Sequence, residues 1–148
     1  MFIEIKNRIP ENKPELKIGP LSLWIAGYTT VDQKENGDFA YLKTPALLDT
    51  ESVIIFSNRS DTPLFCFKAF LNDLMVMYDT ISKDQTVKFA SDGSEFHLRL
   101  TNSLGRIKID IHYYAWSHNG SLDFEDRIDQ SYLPKIILDL KKIISKFS

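Results

Sequence analysis

The chain is short of the residues that usually announce a chemistry. It has one cysteine, Cys66, among 148 residues, which excludes an internal disulfide and a zinc site built on cysteines. The neighbours of Cys66 in "PLFCFKAF" are apolar and no histidine adjoins it, so it reads as a small core residue of a helix rather than a nucleophile. No apolar run approaches the ~20 residues of a membrane span. The opening "MFIEIKNRIP" mixes acidic and basic residues with apolar ones, unlike a secretory signal, and a cytoplasmic protein is expected. Charge of one sign is also missing. There are 18 Lys and Arg against 20 Asp and Glu, well interspersed, for a net charge of −2. A nucleic-acid binder usually carries a basic excess or stripe, so direct nucleic-acid binding is not expected.

What is present is enough for a packed core. With 43% hydrophobic and 12% aromatic residues, a chain of this length buries roughly 70% of its unfolded surface. Short connections and the absence of a linker-like run imply one domain over residues 1–148. Apolar positions at Phe67, Phe70, Leu71, Leu74, Met77, Tyr78 and Ile81 step by threes and fours and predict a helix over about 63–82. The preceding "SDTP" offers Asp61 or Thr62 as a cap and Pro63 for the opening turn. A second stripe, Leu133, Ile136, Ile137, Leu140, Ile143, Ile144 and Phe147, predicts a docked helix over about 132–147, with Lys135, Asp139, Lys142 and Lys146 on its other side.

Between the helices the period becomes two. "TVKFA", "EFHLRLT", "RIKIDIHYYA" and "SLDFEDRI" alternate, and the joints "SDGS", "NSLG" and "SHNG" supply turn residues. This predicts a four-stranded antiparallel meander. Parity sends Val87, Phe89, Phe96, Leu98, Leu100, Ile107, Ile109, Ile111, Tyr113, Leu122, Phe124 and Ile128 to the core. Asp126 falls on the same side, which implies a bulge or strand end there. "LSLWIAGY", "FAYLKT" and "SVIIFS" are further strands, with Trp24 in the core, and residues 32–38, "DQKENGD", form a polar loop. The expected class is α+β: a mainly antiparallel sheet with two amphipathic helices packed on one face.

Asp129, Gln130, Ser131 and Tyr132 stand together before Pro134 and could be a reactive group or a helix start. The second reading explains more of them. Ser131 or Asp129 can serve the exposed first-turn amides, and Pro134 has no amide to serve. No Gly-x-Ser-x-Gly or Ser-x-x-Lys pattern accompanies Ser131. His97 and His112 point outward on neighbouring strands and His118 lies in the next turn, but Lys88, Arg99, Lys108, Asp110, Asp123, Glu125 and Arg127 share that face. Salt-bridged strand residues account for them, and no metal or cofactor is expected. Asp32, Glu35 and Asp38 lack the alternate spacing and closing Glu of a calcium loop.

"LSLWIAGY" at 21–28, "FLNDLMVMYDTIS" at 70–82, the alternating strands and "IDQSYLPKII" at 128–137 together resemble the WapI-type immunity proteins, bacterial proteins encoded beside WapA-like polymorphic toxins. The likeness covers most of the chain from Leu21 onward. It departs from that pattern at Tyr41, where a tryptophan is expected, and after the first helix, where a glycine is expected. The resemblance implies a non-enzymatic protein whose partner is a cognate toxin domain, with no catalytic residues to carry over. Candidate contacts are Asp32, Glu35 and Asp38 on the acidic loop, beside Tyr28 and Tyr41, and Asp110, Tyr114, Trp116, Asp123 and Glu125 on the outer strands. Trp116 fits an interface anchor and a fold-back onto the core edge equally. Similar patterns also occur in uncharacterised bacterial domains. A structural or interaction domain without a toxin partner, and less so a small-ligand binder, therefore stand as alternatives.

Overall fold

A computed structural model describes residues 1–5, 8–89, 91, 93–115 and 120–148. Among these residues the α+β class holds, but the strands divide into three sheets rather than one. The first joins β1 (Phe2–Ile5), β7 (Val53–Ser57), β6 (Ala46–Asp49), β3 (Leu21–Leu23) and β2 (Leu16–Ile18) in that order, with β1 parallel to β7 and the other pairs antiparallel. A small second sheet has β4 (Gly27–Tyr28), β5 (Tyr41–Lys43) and β8 (Asp61–Pro63). The third is the expected meander of β9 (Gln85–Phe89), β10 (Phe96–Ser103), β11 (Arg106–Ala115) and β12 (Gly120–Asp129).

Two α-helices are described, α1 (Leu64–Asp79) and α2 (Leu133–Phe147). The stripe of α1 buries Leu64, Phe67, Phe70, Leu74 and Met77. Phe67 and Phe70 hold the helix on the inner face of the meander by packing on Phe89, with ring centroids 5.2 and 5.0 Å away. Tyr78 lies at the margin of that stripe and stays exposed. Next to α1, α2 buries Leu133, Ile136, Leu140 and Ile143 and reaches β2. Asp139 of α2 also sits nearly out of solvent, with the Lys135 ammonium 2.5 Å from its carboxylate one turn earlier. One continuous apolar cluster runs from Leu16 and Ile18 through Leu42 and Ile55 to Leu100, Ile109 and Leu140.

The inner-face assignment holds for Val87, Phe89, Phe96, Leu98, Leu100, Ile107, Ile109, Ile111 and Tyr113, all buried. Leu122, Phe124 and Ile128 on the edge strand β12 are half-buried. No bulge forms at Asp126, which pairs with Ile109 within an unbroken register from Arg106↔Asp129 to Ala115↔Gly120. An edge strand can leave an inward carboxylate in water, so its place in the alternation needs no correction in the backbone.

The first half departs further from its periodicity. "LSLWIAGY" is two strands, because Gly27, at φ 111°, takes a backbone conformation open to glycine and turns the chain from the first sheet into the second. Trp24 is core, and its indole donates to the Asn12 carbonyl at 2.9 Å. Asp61 and Thr62 do not cap α1. They form β8 against β5, and the Leu64 amide donates to the Ala40 carbonyl at 2.9 Å in place of a side-chain cap. At the other helix the capping expectation falls on Asp129, whose carboxylate accepts from the Ser131 amide at 2.7 Å and opens the single 3-10 turn Gln130–Tyr132 that leads into α2. Leu133 is helical (φ −62°, ψ −42°) despite preceding a proline; burial of its side chain outweighs the local bias.

The three sheets meet at a buried polar joint. Glu95, fully out of solvent, accepts from the Ser57 hydroxyl at the end of β7, and its amide donates to the Ser60 hydroxyl (3.0 Å) just ahead of β8. Asn102 is equally buried. It donates to the Ile81 and Lys83 carbonyls (2.8 and 2.9 Å) and accepts from the Gly105 amide (3.0 Å), tying the α1–β9 connection to the β10–β11 turn. Tyr113 of β11 donates its hydroxyl to Glu4 of β1 at 2.8 Å.

Removing a donor from a buried carboxylate costs about 1–3 kcal/mol or more. Ser57→Ala should lower stability by that much, while Ser103→Ala, at an exposed strand position, should stay within about 0.5 kcal/mol in denaturant titrations. Burial, together with the bond to Glu4, pushes the Tyr113 hydroxyl well above its ordinary value of 10.0. Its contribution to stability is complete below that pH and is lost as pH rises beyond it, because only the unfolded state then ionises freely. The melting temperature should fall more steeply above pH 10 in the parent protein than in Tyr113→Phe; equal slopes would show that Tyr113 does not carry the alkaline limb.

Candidate functional site

With α1 on its inner side, the meander turns its other face to solvent, and the register fixes what meets there. Lys88, Arg99, Asp110 and Glu125 form one row across β9 to β12, and His97, His112 and Asp123 form the next. Arg99 and Lys108 each stand 3.6 Å from Asp110, Lys108 is 3.6 Å from Glu125, and Arg127 is 3.9 Å from Glu125. Asp110 Oδ2 is out of solvent but beyond hydrogen-bond distance of both cations, so it is compensated by charge and not by a bond. His112 turns Nδ1 to the Asp123 carboxylate and leaves Nε2 without a hydrogen-bond partner among the described residues. The Tyr114 ring stacks edgewise on His112 (4.1 Å) and His97 (5.6 Å). A groove of about 490 Å³ runs between these residues.

Three cations, Arg99, Lys108 and Arg127, and the His112 imidazole therefore meet the three carboxylates Asp110, Asp123 and Glu125, each already facing one of them on the same face. Opposite charges across a strand pair stabilise it modestly and satisfy one another before any partner arrives. Among the described residues no group of three His, Cys, Asp or Glu side chains is placed to hold a metal.

The second surface is the segment 31–39. The expected loop is a 3-10 segment, Val31–Phe39, kinked at Gly37 (φ 59°, ψ −124°), and none of its residues is buried. Its shape comes from polar bonds. The Gln33 side-chain carbonyl accepts from the Tyr41 amide (3.1 Å) and from the Asn36 side chain (3.0 Å), closing the segment on β5. Thr30 donates to the Asp32 carboxylate at 2.5 Å and holds it below the usual carboxylate range. Asp38 reaches Lys68 of α1 at 2.5 Å, and Glu35 makes no ion pair among the described residues. Phe39 stacks on Phe65 at the start of α1, ring centroids 5.8 Å apart, yet the two remain 71% and 43% exposed. Val31, at the other end of the segment, and Tyr41 of β5 are exposed as well. Tyr28 instead turns inward, its ring 5.3 Å from Phe147.

The expected contact residues thus fall on two surfaces. Asp110, Tyr114, Asp123 and Glu125 come together on the outer strands. Asp32, Glu35 and Asp38 lie on the 3-10 segment, which packs against α1. Trp116 and His118 lie outside the described residues. The exposed Phe39 and Phe65 were not expected. Phe65 could have been found, since it falls off the buried stripe of α1 at a position one residue past Leu64.

A family model described as the immunity protein WapI-like family matches residues 17–148. No curated protein and no solved structure matches the chain significantly. No helix of the described residues is long and apolar enough to cross a membrane.

The pairing on the outer face is unequal in depth. Asp110 and Glu125 each meet two cations, but the Asp110 side chain is 27% exposed and that of Glu125 52% exposed and more screened. Asp110→Asn should therefore lower the melting temperature more than Glu125→Gln, which should be near neutral in calorimetry at 0.15 M salt.

Proposed function

Because the chain belongs to the WapI-like immunity protein family, whose role is to neutralise a toxin, we propose that it protects the bacterium that makes it by binding the catalytic domain of one cognate secreted toxin. The family match over residues 17–148 is the observation that carries this reading. Proteins of this kind typically act without catalysis, by occupying the surface through which the toxin reaches its substrate. The place of action is the cytoplasm, where an incoming toxin domain would find its target.

The charged surfaces agree with a nuclease as the toxin. An active site that holds nucleic-acid phosphate is basic, and carboxylates presented to it speed association and make it sensitive to salt. Two separate surfaces offer candidate contacts: Asp32, Glu35 and Asp38 on the 3-10 segment, or Asp110, Tyr114, Asp123 and Glu125 on the outer strands; Trp116, a candidate from the sequence, lies outside the described residues. Blocking by occupancy also fixes the stoichiometry, since each toxin domain must be covered by its own immunity protein.

Titration of the purified protein into the toxin domain encoded directly upstream should abolish toxicity at one equivalent and form a complex whose association slows as salt rises. Protection that persists far below one equivalent, or no complex at all, would overturn the proposal.

A further inference from the structure

We propose that the toxin docks on the ridge formed by Val31–Phe39 and the start of α1, with Phe39 and Phe65 as apolar anchors and Glu35 and Asp32 as the charged rim, and not on the outer face of the meander. The inference rests on the immunity reading and adds the surface. Three observations carry it.

The first is what holds the ridge. Ordering the backbone of each residue costs roughly 1–2 kcal/mol, and a segment normally offsets this by burying side chains. Val31–Phe39 buries none. It is shaped by Gln33, Asn36, Thr30 and Lys68, all of which bond to the segment or its flank and leave Val31 and Phe39 directed away from the core. A framework that presents a preformed apolar edge to water is suited to a partner that covers it, because little ordering remains to be done on binding.

The second is the aromatic pair. Phe39 and Phe65 come from different elements and still meet edge to face at 5.8 Å. Together they make an exposed apolar patch of the kind that marks an interface, at whose centre aromatic side chains dominate binding.

The third is charge. On the outer face Asp110, Asp123 and Glu125 each face a cation or His112, and Lys88 and Arg106 add further cations to the same register. That face has little net negative potential to offer a basic toxin. Within the ridge segment Asp32, Glu35 and Asp38 outnumber Lys34 by three to one; Glu35 has no ion-pair partner among the described residues, and the Thr30 hydroxyl holds Asp32 below the usual carboxylate range. An acid rim around an apolar centre is complementary to a basic active-site rim.

The test uses the full chain and the toxin domain encoded directly upstream, with dissociation constants from calorimetric titration and hydrogen exchange of the complex. Phe39→Ala should raise Kd by at least about 30-fold, the scale of an interface anchor. Glu35→Lys should slow association and weaken its salt dependence. Neither should move the melting temperature, as both side chains are exposed. The paired Asp123→Asn and Glu125→Gln substitutions should leave Kd within about threefold, a change expected of groups at or beyond an interface rim. Exchange protection should appear at residues 31–41 and 64–69. If the parent protein binds but Phe39→Ala and Glu35→Lys bind equally well, or if protection is confined to residues 106–129, the ridge is overturned while the immunity reading stands. If the parent protein itself fails to bind, the immunity reading falls and the ridge with it.

Discussion

The structure depends on one buried carboxylate. Glu95 sits where the three sheets converge, and a polar group buried there without hydrogen-bond partners would be costly. Ser57, at the end of the first sheet, donates its hydroxyl to that carboxylate, and the Ser60 hydroxyl, at the entrance of the second, accepts from the Glu95 amide, while Glu95 itself immediately precedes the meander strand β10. The Glu95 carbonyl also accepts from the Tyr114 amide at 2.8 Å. The sheets are therefore oriented by directional bonds as well as by the nondirectional pressure of the apolar core, which would tolerate several relative placements. Thr44, just past β5, and Thr62 of β8 continue this seam at the small sheet, their hydroxyls 2.9 Å apart.

From that joint the meander carries its two faces outward. Period-two register sends Leu98, Leu100, Ile109 and Ile111 under α1 and, with the same certainty, sends Arg99, Lys108, Asp110 and His112 to water. A slip of one residue would exchange the two sets, burying at least three charges and exposing the core. The ion pairs of the outer face thus help to fix register at little net energy.

How much of this the sequence discloses varies with element length. The helices and β10 to β12 were legible because eight to sixteen residues repeat a pattern often enough to reveal its period. The first half was legible only as apolar segments. Strands of two to five residues, such as β4 and β8, contain too few repeats for a period, and Asp61-Thr62-Pro63 satisfies the chemistry of a helix cap and of an edge strand equally well. Parity placed Asp110, Asp123 and Glu125 on one face, but their contacts with Lys108, Arg127 and His112 depend on pairing between strands, which a single sequence does not encode locally. The exposed Phe39 and Phe65 escaped notice because apolar side chains are assigned to the core by default, and only the off-stripe position of Phe65 argued otherwise.

The absence of any buried residue in Val31–Phe39 has an evolutionary side. Substitution in a packed core is filtered first by folding, so most changes there are lost before recognition is tried. A projecting segment framed by Gln33 and Lys68 escapes that filter. Descendants of this chain could exchange Val31, Glu35 or Phe39 freely and meet a changed adversary while the three sheets beneath remain as they are, so the rate at which specificity can diverge is uncoupled from the rate at which the scaffold can.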